Sequence, residues 1–129
     1  MGLSRFVYTA NELEGNLTSL RKEGVKKGTW TGFDNLFDKY SMKPGSTTYI
    51  YAGAHQGKSQ FGFELMMNTA QYSGWKWAVY SPETGSPTEV FAELMWVYLR
   101  KPFLINDHMT ATDEETAKAL EFINEHFYI

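Results

Sequence analysis

The ten residues Y-A-G-A-H-Q-G-K-S-Q, positions 51–60, decide how this chain is read. Gly57, Lys58 and Ser59 stand in a row, with Gly53 four residues before Gly57. A phosphate-binding loop needs small residues, so that the backbone can curl and aim its N–H groups at an anion. It needs a helix that starts there and turns its positive end to the phosphates. It needs a lysine for the outer phosphates and a hydroxyl for Mg²⁺. Gly53 and Gly57 supply the freedom, Lys58 the cation and Ser59 the hydroxyl. The strict pattern asks for glycine where Ala52 stands. A methyl is tolerated there if φ stays negative. The alternative is a glycine turn with an incidental exposed lysine. His55 and Gln56, at the loop tip, carry less information, because a lone loop histidine is more often solvated than catalytic.

The flanks supply the context that such a loop requires. Thr47-Thr-Tyr-Ile-Tyr-Ala52 is β-branched and aromatic and predicts a strand. Residues 58–73 predict a helix with Phe61, Leu65 and Met66 inward, ended by Gly74. Trp75–Ser81 predicts a second strand. Ser86-Pro-Thr-Glu89 is a capping box with proline at the first helical position, opening a helix to Arg100. Thr112-Asp-Glu-Glu115 is another, opening a helix to about Glu125 with Ala119, Leu120 and Ile123 inside. His126–Ile129 begins a third strand. Upstream, Thr9-Ala-Asn-Glu12 caps a helix to Glu23, stopped by Gly24, with Leu13, Leu17 and Leu20 on one stripe. Arg21, Lys22, Lys26 and Lys27 form a basic link that reads as solvated. Thr31 can cap a short helix to Tyr40 that buries Phe33, Leu36 and Phe37. The alternation of strand and helix predicts α/β with a parallel sheet.

The whole chain has 129 residues, 43% hydrophobic and 16% aromatic, enough for one domain or part of one. Its net charge of −3 builds in no strong attraction to nucleic acid. It has no cysteine, so disulfides and thiolate metal sites are excluded, which fits a reducing compartment. No apolar run approaches the length of a membrane span, and M-G-L-S-R-F-V-Y is neither a signal peptide nor a good myristoylation site. A cytoplasmic protein with no membrane partner is expected.

Ser81-Pro82-Glu83-Thr84 falls at the C-terminal end of the strand after the loop helix, the edge where parallel sheets bind ligands. A carboxylate there can orient or deprotonate an attacking water. Its alternative is a surface glutamate flanking a helix.

Thr31-Gly32-Phe33, Lys43-Pro44-Gly45, the strand into A-G-A-H-Q-G-K-S, and W-A-V-Y-S-P-E follow one another in order. Together with Lys101-Pro102-Phe103 and the ending L-E-F-I-N-E-H-F-Y-I, they resemble the RecA-like motor domain of DnaB-like replicative helicases. The likeness is greatest to the phage primase-helicase and Twinkle branch, and covers residues 8 to 129. It implies a RecA-like P-loop ATPase core over 29–129 and a linker helix with basic link over 1–28. It implies ATP and Mg²⁺ as cofactors, held by Ala52, Gly53, Ala54, His55, Gln56, Gly57, Lys58, Ser59 and Gln60. Lys58 would contact the β- and γ-phosphates, Ser59 would bind the metal, and Glu83 would be the catalytic base. The leucine helix would pack on a neighbouring subunit of a hexamer that moves on single-stranded DNA. The alternatives are a RecA- or KaiC-type ATPase, or a non-hydrolysing assembly module.

The likeness stops short of a whole motor. No aspartate ends an apolar strand after Glu83: Asp107 reads as loop and Asp113 as a helix start. Arg5, Arg21 and Arg100 match no arginine-finger motif. The chain is therefore expected to be the front half of a motor domain, whether a truncated piece of a longer chain, a proteolytic fragment, or a split or decayed gene, and inactive alone. The P-loop strand should lie mid-sheet, with edges that invite dimers or strand exchange.

Overall fold

The computed structural model describes residues 7–105 and 109–129. Arg5, Asp107 and residues 1–6 of the opening segment read above for targeting signals lie outside them. The described chain is mixed α/β, with four α-helices and a two-stranded parallel sheet. The helices are α1 (Glu14–Glu23), α2 (Lys58–Ser73), α3 (Pro87–Leu99) and α4 (Asp113–His126); the strands are β1 (Trp77–Ala78) and β2 (Phe127–Tyr128).

The core forms where helical periodicity meets a partner. In α2, Phe63, Met67 and Ala70 recur at i, i+4 and i+7, and in α3, Val90, Leu94 and Val97 do the same. These stripes, with Ala119 and Ile123 of α4 and Phe127 of β2, make one buried cluster. Helix α3 is the middle layer and packs on both α2 and α4. Glu64 of α2 and Arg100, just past α3, clamp two helices with a pair of charge-assisted bonds, Arg100 Nη2 lying 2.7 Å from Glu64 Oε2. That bond to Glu64 also raises the pKa of the guanidinium further.

The helix limits follow local hydrogen bonds. Ser86 N–H donates to Glu89 Oε2 at 2.6 Å and starts α3 with Pro87 in its first turn. Thr112 N–H donates to Glu115 Oε2 at 2.9 Å, and Glu115 N–H returns to Thr112 Oγ1 at 3.2 Å. Gly74 ends α2 in the left-handed region. At α1, Thr9 N–H reaches Glu12 Oε2 at 2.8 Å, although the first turn, Asn11–Leu13, is 3₁₀.

Several expectations are corrected. Residues 47–52 form no strand; they have no regular secondary structure and no ladder partner, with Tyr49 92% and Tyr51 98% exposed. The run therefore lies outside the sheet rather than in its middle. The second strand shrinks to Trp77–Ala78, paired in register with Phe127–Tyr128, so the third strand does exist. The helix expected from Thr31 to Tyr40 is a single 3₁₀ turn, Asp34–Leu36. Thr31 is instead fully buried, and its hydroxyl accepts from Phe33 N–H at 3.3 Å. Leu120 is 60% exposed, because α4 buries only the narrow stripe through Ala119 and Ile123. Phe61 and Met66 are half-buried; Phe61 stacks on Phe33 with centroids 5.5 Å apart. Helix α1 buries nothing, with Leu17 and Leu20 about half exposed.

Two polar residues inside α2 tie loops and sheet to it. Asn68 Nδ2 donates to Thr31 O at 3.0 Å. Gly32, at φ 86°, lies so close that a Cβ would overlap the Asn68 amide. Thr69 donates back to the Leu65 carbonyl at 2.9 Å and accepts from Trp77 Nε1 at 3.0 Å, which fixes β1 on the helix.

Candidate functional site

Helix α2 starts at Lys58 behind Gly57, whose φ of 79° is the left-handed conformation glycine adopts without steric cost. Glycine offers no capping side chain. The first intrahelical bond runs from Phe61 N–H to Gly57 O, at 2.9 Å. The amides of Lys58, Ser59 and Gln60 thus lie ahead of the helical ladder, at its positive end. Helices α3 and α4 differ, their starts being closed by Glu89 and Glu115. No acidic residue lies in the first turn of α2.

Ahead of the helix, residues 53–57 turn through an exposed loop. His55 (φ 56°) and Gly57 are both left-handed, and Ala52 is not, so the alanine at the first loop position carries no backbone strain. Lys58 Nζ folds back over the loop and donates to Ala52 O at 3.2 Å and Gly53 O at 3.0 Å. Gly53 N–H donates to Gln56 Oε1 at 2.9 Å. Gln60 points along the helix, its Nε2 donating to Glu64 Oε1 at 3.3 Å.

Ser59 lines an open groove of about 310 Å³ together with Phe63 and Met66 of α2 and the segment Trp77–Ser81. This groove brings the start of α2 alongside the strand that leads to Glu83. Glu83 itself is exposed on the turn after it, which Thr84 N–H closes onto Ser81 O at 3.1 Å. The Ser81 and Thr84 hydroxyls, 2.6 Å apart, brace the same turn. Among the described residues no group of three or more acidic, histidine or cysteine side chains could hold a metal. Ser59 offers a hard-oxygen donor, which suits Mg²⁺ only if phosphate oxygens and water complete its shell.

A hollow of about 740 Å³ shares no residue with this loop. It lies between the end of α1 and the Thr29–Met42 bridge and is open to solvent. Lys26, Lys27 and Lys43 line it, but Lys27 is already 3.0 Å from Asp38 and over the Phe37 ring. It is the gap beneath an unpacked helix, not a convergent set of groups. Sequence reasoning missed the Gln56–Gly53 bond, for which no local pattern exists. It also missed Asn68, whose signal was an amide inside the apolar face of α2.

The chain is similar to a Twinkle homolog. That protein, the chloroplastic/mitochondrial Twinkle homolog protein of Arabidopsis thaliana, is 29% identical over 112 residues. The match takes in 84% of this chain and 16% of the plant protein, so the chain spans a small part of that relative's length. No protein-family model matches the chain, and no solved structure does. The likeness falls on the branch to which the motifs point. No helix among the described residues is long and apolar enough to cross a membrane.

Proposed function

We propose that the chain is the nucleotide-binding portion of an ATP-dependent replicative DNA helicase. Residues 29–129 would be the front part of its RecA-like core, and residues 1–28 its linker. The observation that carries this reading is the open start of α2. Gly57 leaves amides unpaired, Lys58 and Ser59 follow at once, and the groove from Ser59 runs beside the strand leading to Glu83. The similarity to the Twinkle homolog supports it independently.

In this reading the amides of residues 58–60 and the Lys58 ammonium enclose the outer phosphates. The Ser59 hydroxyl holds Mg²⁺, which neutralises charge on the β- and γ-phosphates when bound. Glu83 orients or deprotonates the attacking water. Translocation on single-stranded DNA and assembly into a ring belong to the longer protein. A second reading, a module for assembly without hydrolysis, draws on one observation: the exposed Tyr49–Tyr51 run is apolar, aromatic and outside the sheet.

Isothermal titration with ATP–Mg²⁺ tests the first reading. Lys58→Ala should weaken binding more than tenfold, because the phosphates lose their cation, while Glu83→Gln keeps the affinity of the wild type. Equal affinity for wild type and Lys58→Ala would refute the assignment. Oligomers in the absence of nucleotide, with no ATP affinity, would favour the second.

A further inference from the structure

The loop that would take phosphate is already filled by its own side chains. Gly53 N–H is engaged by Gln56 Oε1 at 2.9 Å, and the Lys58 ammonium by the carbonyls of Ala52 and Gly53. The amide of Gln56 lies tight against the loop, its Cδ 3.1 Å from where a Cβ on Gly53 would stand. His55 and Gly57, both left-handed, bracket Gln56 on either side. A side-chain carbonyl oxygen on a backbone N–H imitates a phosphate oxygen in donor and distance, but carries less charge.

We propose that Gln56 is an internal stopper of the phosphate cradle. It holds the Gly53 amide until an incoming polyphosphate, with its fuller negative charge, displaces it and draws Lys58 away from the loop carbonyls. This rests on the phosphate-loop reading of residues 52–59. The stopper sets a threshold on ligand charge. A polyphosphate replaces the Gln56 bond with a charge-assisted one and gives the Lys58 ammonium anionic oxygens in place of two neutral carbonyls, whereas a singly charged anion brings less negative charge to offset the loss of all three bonds.

The test uses inorganic tripolyphosphate as the probe, with the Gly53 amide resonance as a second readout. Gln56 is exposed, so its variants should fold as the parent does. Without ligand, the Gly53 amide should exchange with solvent faster in Gln56→Ala than in wild type. Tripolyphosphate should bind Gln56→Ala roughly three- to tenfold more tightly, the size of one hydrogen bond's net contribution. It should bind Gln56→Glu more weakly than wild type, because a carboxylate holds the amide better and repels the anion. An unchanged Gly53 amide in Gln56→Ala overturns the stopper. So does binding that is equal or weaker in Gln56→Ala, the latter making Gln56 a contact to the ligand. If Lys58→Ala weakens binding more than tenfold in those cases, the phosphate-loop reading stands and only the stopper falls. If tripolyphosphate binds neither wild type nor Gln56→Ala, both fall together.

Discussion

Between residues 87 and 127 the chain buries Val90, Leu94, Met95, Val97, Ala119, Ile123 and Phe127; between 46 and 57 it buries none. Both stretches are rich in residues that favour regular structure. The first has neighbours: α3 lies between α2 and α4, so each apolar stripe meets another. The second has β-branched and aromatic residues that favour a strand, but no ladder beside it. Propensity sets the local shape of a strand, whereas packing and pairing decide whether the shape becomes structure. The unburied stretch leads into the proposed phosphate loop at Gly57.

The contrast can be broken by mutation. Leu94 is fully buried at the centre of the helical layers, so Leu94→Ala should cost about 2–5 kcal/mol by urea unfolding. The double variant Tyr49→Ser, Tyr51→Ser should stay within about 0.5 kcal/mol of wild type. Should the tyrosine pair cost as much as Leu94, the 46–57 stretch is packed in solution and the contrast is void.

Gly32→Ala probes the seam between the two regions. The added methyl meets the buried Asn68 amide, and φ 86° is unfavourable to alanine. A loss of about 1–3 kcal/mol is expected, measured as a lowered unfolding midpoint. A neutral result would show that the Thr31–Phe33 loop is free of α2.

The smallest effect is in acid. Glu89 is held below the ordinary carboxylate range chiefly by Ser86 N–H, and Glu115 chiefly by Lys101, then by Thr112 N–H. Folded-state values that are depressed stabilise above the unfolded-state pKa, about 4.3 for glutamate. That contribution fades as pH falls through the folded-state values. Acid unfolding of Glu89→Gln, Glu115→Gln should therefore show a shallower loss below about pH 4 than wild type. Identical acid limbs would mean that the caps carry no pH-linked stability.

Much of the helical layer was legible because its signals are local. Ser86 with Glu89, Thr112 with Glu115, and Gly74 each act within four residues, and each stands where it was expected. The strand at 47–52 was not legible, since its pairing partner is remote and its composition speaks only of extension. Trp75–Ser81 was read too long for the same reason: β2 offers two residues of ladder and no more. At the site, the start of α2 at Lys58 was legible from Gly57 and the small residues before it. The Gln56–Gly53 bond was not, because it depends on two left-handed residues whose conformations only one of them, Gly57, advertises in its side chain.

The parallel join of Trp77 to Phe127 encloses both α3 and α4 between its ends. Bringing those ends together has an entropic cost before any ladder bond repays it, while the helices can form from neighbours in sequence. The two-residue sheet is thus a late event in the chain's folding time, and the refolding rate should respond to residues inserted between α3 and α4 more than to changes in the capping boxes.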